Sequence, residues 1–140
     1  MSLQRSVVFA EPVRTAIGAF GGAFKDMPAP DLGAAAIRAA VARAALRPDE
    51  IETVVMGNVI QAGVKMNPAR QAAIHAGLPV TTPSLTVNRV CGSGAQAILS
   101  ASQEILLGSG RGRWHGEHGS RALSDRARPM GLPDGRWPAL

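Results

Sequence analysis

Short apolar runs alternate along the chain with longer stretches that have helical spacing. Three runs rich in apolar and β-branched residues predict buried strands at residues 6–10, 53–56 and 86–90. The stretches that follow them predict helices over residues 31–45, 68–77 and 95–107. Because strands that alternate with helices form parallel sheets covered by those helices, the pattern predicts an α/β domain.

Polar residues, proline and glycine mark where these helices begin and end. Asp31 is a residue type that caps helix amino termini, and Asn67 followed by Pro68 predicts the start of the second helix. Residues 48–50 predict a single helical turn, and Gly108 predicts the end of the last helix. The chain is therefore expected to form a layered α/β arrangement up to about this glycine.

The pattern stops after Gly108. Residues 109–140 have neither helical nor strand spacing, and they are rich in arginine, glycine and proline with few apolar residues. The formal net charge is +5; residues 1–110 contain 9 basic and 7 acidic side chains, and residues 111–140 contain 6 basic and 3 acidic ones. We expect two parts, an α/β segment over 1–110 and a disordered basic tail over 111–140.

Composition excludes several classes of protein. The chain has one cysteine and three histidines, so neither a disulfide framework nor a zinc site of the usual kinds is expected. The apolar run near the start is too short for a signal peptide, and no run reaches the length of a transmembrane helix. Aromatic residues make up 4% of the chain, which favours close packing of small side chains. We expect a soluble cytoplasmic protein.

Candidate chemistry centres on Cys91, which is expected between the third strand and the last helix. Backbone N–H groups and the helix dipole favour a negative charge at a helix amino terminus, and the thiolate is the nucleophilic form of cysteine. Gly92 and Gly94 leave room for a substrate beside the sulfur. Two interpretations stay open, an acyl-accepting nucleophile or a small buried residue. No histidine near Cys91 in the sequence completes a dyad.

The residues around Cys91 resemble a known motif. Residues 87–94 read Val-Asn-Arg-Val-Cys-Gly-Ser-Gly, which is similar to the nucleophile motif of the thiolases, that is, of acetyl-CoA acetyltransferases and 3-ketoacyl-CoA thiolases. Residues 12–18, 57–59 and 67–73 also resemble thiolase segments in order and spacing. The resemblance covers about three-quarters of this chain and the front part of a complete thiolase. It implies an incomplete amino-terminal thiolase-fold domain.

The resemblance implies a ping-pong acyl transfer between CoA thioesters. Cys91 would take the acyl group of an acyl-CoA, and a second acetyl-CoA would accept it to give acetoacetyl-CoA; the reverse reaction cleaves a 3-ketoacyl-CoA. CoA thioesters would be substrates, with no separate cofactor. Intact family members act in fatty acid metabolism as homodimers or homotetramers. No residue here matches the family's activating histidine, its second cysteine or most of its CoA contacts, so we expect little or no turnover from this chain alone.

Other conspicuous residues favour structural roles. Arg14 and Arg70 are expected to order loops or to pair with carboxylates at a subunit contact rather than to bind phosphate. The glycine cluster at residues 18–22 lacks the Gly-Lys-Ser/Thr ending of a phosphate-binding loop. His75 lies near the end of a short predicted helix and is expected to be a surface or capping residue rather than a base.

Two other functions stay open. The first is a non-enzymatic module whose arginine-rich tail binds nucleic acid or an acidic surface, although acidic residues interrupt the arginines and no helical face gathers them. The second is another condensing enzyme of the same superfamily, against which the context of Cys91 and residues 67–70 argue. We favour the acyltransferase, with acyl-CoA as its partner and with neither a nucleic acid nor a membrane as partner.

Back-translation of the tail leads to a testable explanation of its composition. Read one nucleotide forward, suitable codons for residues 113–119 give Gly-Gly-(Thr/Met)-Glu-(Asn/Ser)-Met, the thiolase segment expected after the last helix. Codons for residues 129–137 allow a second thiolase-like segment in the same shifted frame. We expect a shift of reading frame near residues 109–113, through a natural lesion or a sequencing error. The nucleotide sequence of the gene decides this, and a shifted frame without a thiolase continuation would contradict it.

Overall fold

The structure, a computed structural model, describes residues 6–108. The mixture of helices and strands confirms the α/β prediction. The expected disorder of residues 111–140 and the boundary at residue 110 lie outside the described residues. The elements follow in the order α1 (Ala29–Arg43), a 3₁₀ turn (Pro48–Glu50), β1 (Val54–Gly57), α2 (Pro68–His75), β2 (Ser84–Val87) and α3 (Ser93–Leu107).

The two strands form a parallel pair that has helices on both faces. Val54 lies opposite Ser84 and Gly57 lies opposite Val87, and successive side chains of a strand point to opposite faces. Val54 belongs to a buried cluster with α2, and Met56 packs against that cluster. Gly57, one residue later, lies against the first turn of α3. Helices α1 and α2 therefore cover one face of the sheet, and α3 covers the other.

Small side chains allow α1 and α2 to approach closely. A Cβ atom at Gly33 of α1 would lie 3.0 Å from the Cβ of Ala72 in α2, so one added methyl group would crowd this contact. The composition therefore results in close helix packing, as its low aromatic content predicts. The alanines of this contact and of the adjoining core are at most 1% exposed: Ala34, Ala69, Ala72 and Ala73.

The two predicted helix starts have different outcomes. Asn67 caps α2 as predicted, because its Oδ1 accepts a hydrogen bond from the backbone N–H of Arg70 at 3.2 Å. The prediction that Asp31 caps the first helix is wrong, since α1 begins earlier, after Pro28, and has no side-chain cap. Asp31 lies in the first turn of α1 instead, where its Oδ1 pairs with the Nδ1 of His75 at 2.7 Å.

The predicted strands also have different outcomes. The strand expected at residues 53–56 is confirmed as β1. The strand expected at residues 86–90 begins and ends earlier, at Ser84–Val87, because the chain turns at Asn88. The strand expected at residues 6–10 is not formed. Within the described residues the sheet has two strands and neither pairs with this segment, so its apolar residues lack the hydrogen-bonding partner that a strand requires.

The outward face of α3 is apolar. The side chain of Ala97 is buried, on the side that faces the sheet, whereas the large side chains on the other side of the helix are half-exposed. These side chains are 43% to 56% exposed: Ile98, Leu99, Ile105 and Leu106.

Within residues 6–108, no helix is both long enough and apolar enough to cross a membrane.

We expect Gly57→Ala to destabilise the fold, because an added Cβ would overlap the carbonyl group of Ser93 and lie 2.8 Å from the backbone nitrogen of Gly94. Overpacking of this kind costs about 1–3 kcal/mol. Urea denaturation followed by circular dichroism measures the free energy of unfolding. Gly94→Ala is the matched control, since a Cβ there meets no atom within 4 Å. An equal loss in the two variants would contradict this expectation.

Candidate active site

Cys91 lies in the short segment between β2 and α3. β2 ends at Val87 and α3 begins at Ser93, so the cysteine lies on a turn and not at the end of the strand itself. Its side chain is exposed, which does not agree with its interpretation as a buried core residue. Gly92 precedes α3 and offers no side-chain cap. The positive end of the helix dipole therefore faces this turn without a side-chain cap.

The residue before the cysteine has an unusual backbone conformation. Val90 has a φ of 47°, in the left-handed region. β-Branched residues rarely adopt this conformation, because it brings the branched Cβ close to the backbone. Strained residues of this kind concentrate at functional sites and cost about 1–3 kcal/mol each. The segment therefore differs from an ordinary connection between a strand and a helix.

Two polar side chains hold this turn. The Oδ1 of Asn88 accepts a hydrogen bond from the backbone N–H of Val90 at 3.0 Å. The Oγ of Ser93 donates to the carbonyl oxygen of Val90 at 2.6 Å and accepts from the backbone N–H of Arg89 at 2.9 Å. Ser93 is 4% exposed. Its hydroxyl is therefore a buried polar group whose donor and acceptor are both satisfied.

Neighbouring elements anchor the turn from outside. The Nδ2 of Asn88 donates to the carbonyl oxygen of Val59, in the loop after β1, at 2.8 Å. The guanidinium of Arg89 donates to the Oε1 of Gln96, in α3, at 3.0 Å. The first turn of α3 lies against Gly57 at the end of β1. The position of the cysteine thus depends on β1, β2 and α3 together.

The two glycines beside Cys91 differ in how much space they leave. A Cβ at Gly94 would meet no atom within 4 Å, whereas a Cβ at Gly92 would lie 3.3 Å from the carbonyl oxygen of Arg89. Gly94 therefore leaves an open surface over the first turn of α3, while the turn itself limits the space at Gly92. The predicted open space is therefore present at Gly94 and is limited at Gly92.

The histidine of the described residues belongs to the contact between α1 and α2. His75, the one histidine among residues 6–108, lies in the last turn of α2. Its ring pairs with Asp31, and its carbonyl oxygen accepts a hydrogen bond from Arg38 at 2.7 Å. These contacts join α1 and α2, and His75 is exposed, as its predicted surface position requires. Within the same residues, no three His, Cys, Asp or Glu side chains form a group that could hold a metal ion.

The two arginines singled out in the sequence have different surroundings. Arg70 orders the segment before β2 as predicted, because its guanidinium donates to the carbonyl oxygens of Thr82 at 2.8 Å and Val80 at 2.6 Å. The side chain of Arg14 donates at 3.5 Å to the carbonyl oxygen of the next residue, Thr15. The described structure therefore supports a loop-ordering role for Arg70 and leaves the role of Arg14 a prediction.

The part of the chain that contains this turn has known relatives. Residues 7–111 match the family described as Thiolase, N-terminal domain. The chain belongs to the thiolase family. It is 50% identical over 102 residues to an acetyl-CoA acetyltransferase of Cupriavidus necator, a match that covers 73% of this chain and 26% of that relative. It is 55% identical over 102 residues, with the same two coverages, to a probable acetyl-CoA acyltransferase of Staphylococcus epidermidis and to one of Staphylococcus aureus.

The family match confirms the resemblance that the sequence motifs indicate. It includes all four thiolase-like segments, and the last of these forms the turn around Cys91. The chain spans about a quarter of the length of the curated relatives it matches. The structure described here is therefore a partial thiolase amino-terminal domain.

The sequence does not predict the roles of two residues that hold the turn between β2 and α3, Asn88 and Ser93. The predicted strand at residues 86–90 includes Asn88, although asparagine is a turn former whose side chain often bonds the backbone two residues further on. That preference was the available signal for an earlier end of β2. Ser93 belongs to the motif at residues 87–94, and the motif alone predicts no role for it. Its two hydrogen bonds reach residues three and four positions earlier, a pattern that serine side chains commonly form, and this preference is the signal available for them.

We expect Arg70→Lys to destabilise the segment before β2, because an ammonium group cannot reproduce the two hydrogen bonds of one planar guanidinium. The free energy of unfolding should fall by about 1–2 kcal/mol in urea denaturation. Arg14→Lys is the matched control and should change it by less than about 0.5 kcal/mol. Equal destabilisation in both variants would show that the contacts of Arg70 are not what holds the segment.

Proposed function

We propose that this chain carries the acyl-accepting nucleophile of a thiolase-type acyltransferase, and that Cys91 is the acceptor. The exposed thiol of Cys91, on a strained turn at the amino end of α3, is the observation that carries the proposal. The motif at residues 87–94 lies within the matched residues 7–111. The relatives are named acetyl-CoA acetyltransferase and acetyl-CoA acyltransferase, which supports an acetyl or longer acyl group on CoA as the substrate.

Acylation of Cys91 follows ordinary thioester chemistry. The sulfur of Cys91 attacks the carbonyl carbon of an acyl-CoA, a new carbon–sulfur bond forms, and the bond to the CoA sulfur breaks. The thiol proton of Cys91 is transferred to the departing CoA thiolate, so CoA leaves as the free thiol. The helix dipole of α3 favours the negative charge that the sulfur carries when it attacks.

The second half of the reaction returns the enzyme to its starting state. The deprotonated methyl carbon of a second acetyl-CoA attacks the acyl-enzyme, which gives acetoacetyl-CoA and frees Cys91. In the opposite direction, Cys91 cleaves a 3-ketoacyl-CoA and free CoA removes the acyl group. We propose a role of this kind in cytoplasmic fatty acid metabolism, in a homodimer or homotetramer. CoA thioesters serve as substrates in both directions.

Sustained turnover requires a base for the thiol proton and for the proton of the attacking carbon. A positioned base contributes about 10²–10⁴-fold to the rate. His75, the one histidine among the described residues, is paired with Asp31 in the contact between α1 and α2. We therefore propose that residues 1–140 alone accept an acyl group slowly and do not complete catalytic cycles at the usual rate of an enzyme.

Incubation with acetyl-CoA tests this function. We expect one acetyl group per chain, attached to Cys91 and located by mass spectrometry of proteolytic peptides. The chain should not cleave acetoacetyl-CoA with CoA faster than a Cys91→Ser variant does. A kcat of about 10 s⁻¹, the median for enzymes, would contradict the proposed need for a base outside the described residues.

Cys91→Ser is also the control for labelling, because it removes the single cysteine of the chain. Acetylation of the exposed side chains of Lys25 and Lys65 measures non-specific transfer. The acceptor role of Cys91 is wrong if these lysines take acetyl groups as fast as the cysteine. It is also wrong if Cys91 stays unlabelled by acetyl-CoA while iodoacetamide alkylates it.

A further inference from the structure

Local preference and tertiary structure disagree at Val90. Its β-branched side chain favours an extended backbone, which is why residues 86–90 read as a single strand in the sequence. In the structure, β2 ends at Val87, and Val90 has a φ of 47°. A conformation that a residue does not favour by itself persists only where its surroundings hold it. The interactions that hold Val90 therefore decide which way the next residue, Cys91, points.

Side chains hold both backbone polar groups of Val90. The Oδ1 of Asn88 accepts from its N–H at 3.0 Å. The Oγ of Ser93 donates to its carbonyl oxygen at 2.6 Å, and the backbone N–H of Ser93 donates to the same oxygen at 3.0 Å. An extended Val90 would break these bonds. The buried hydroxyl of Ser93 would then have no acceptor for its hydrogen. The two side chains thus oppose relaxation of the turn from both sides.

Both residues in turn contact β1 or the loop that follows it. The Nδ2 of Asn88 is bound to the carbonyl oxygen of Val59, and the backbone of Ser93 lies against Gly57. Movement of Val90 toward an extended conformation would have to pull Asn88 away from the loop after β1. The hold on Val90 is therefore a property of the sheet and α3 together, and not of the turn alone.

We propose that Asn88 and Ser93 are positioning residues, which together keep Val90 left-handed and thereby fix the direction of the Cys91 sulfur at the amino end of α3. That the sulfur accepts an acyl group rests on the function proposed above. The left-handed conformation of Val90 and the hydrogen bonds that stabilise it do not depend on that function. Neither side chain contacts the acyl group in this scheme. Both act on the sulfur through the backbone of Val90.

Nuclear magnetic resonance of the complete 140-residue chain tests the hold directly. A residue with positive φ has its amide and α protons close together, which gives a strong intraresidue cross-peak in a nuclear Overhauser spectrum. We expect this cross-peak at Val90 in the native sequence and its loss in Asn88→Ala and in Ser93→Ala. Asn88→Asp keeps the acceptor for the N–H of Val90 but loses the donor to Val59, so the cross-peak should weaken without vanishing, which covers the case in which Asn88→Ala does not fold.

A kinetic ratio tests the consequence for Cys91. The ratio is the rate of acetyl transfer from acetyl-CoA to Cys91 divided by the rate at which iodoacetamide alkylates Cys91. Alkylation depends mainly on the exposure of the sulfur, whereas acetyl transfer also depends on the direction in which the sulfur points. We expect Asn88→Ala to lower the ratio about tenfold. The double variant Asn88→Ala/Val90→Gly should return to within about threefold of the native ratio, since glycine adopts the left-handed conformation readily. A purely structural role for Asn88 predicts additive losses.

Ser102→Ala is the matched control. Its Oγ donates to the carbonyl oxygen of Ile98 at 2.8 Å, on α3 and away from the turn, so the ratio and the Val90 cross-peak should not change. The proposal is overturned if the cross-peak survives both alanine substitutions, if it disappears without a fall in the ratio, or if Val90→Gly does not restore the ratio. If the native chain takes no acetyl group, the proposed function fails, and the cross-peak in the variants then decides the positioning role alone.

Discussion

The backbone of Gly57 lies against the peptide that joins Ser93 to Gly94, with no room for a side chain between them. This contact sets the distance between the sheet and α3. Because only a short turn joins β2 to α3, the same distance decides whether the hydrogen bonds across that turn can close. A larger residue at the end of β1 would displace the helix on which the position of Cys91 depends.

The opposite face of the sheet is fixed by different chemistry. Alanine and glycine bring α1 and α2 together, and polar side chains set the position of β2. The Nδ2 of Asn67 donates to the carbonyl oxygen of Ser84 at 2.9 Å, and the hydroxyl of Thr86 donates to the Oδ1 of Asn67 at 2.7 Å. The same hydroxyl accepts from the backbone N–H of Ala69 at 3.0 Å. The start of α2 therefore fixes where β2 lies and, with it, where the following turn begins.

The turn that carries Cys91 and the histidine of the described residues belong to different parts of the fold. The matched thiolase region contains the strand, the turn and the helix that place Cys91, and the turn is held by backbone contacts and by the side chains of Asn88, Arg89 and Ser93. The one histidine of the described residues serves the contact between two helices on the other face of the sheet. The placement of the sulfur therefore does not depend on a nearby base.

The sequence by itself determined the features that depend on neighbouring residues: the cap of α2 at Asn67, the end of α3 at Gly108, the run that forms β1, and a cysteine between a strand and a helix. Contacts between distant residues decided the rest, because local preference cannot weigh them. Asn88 reaches a carbonyl 29 residues away, and Asp31 pairs with a histidine 44 residues away. Val90 favours an extended backbone, and the nearby side chains that hold it left-handed belong to residues that are themselves placed by β1 and the loop after it.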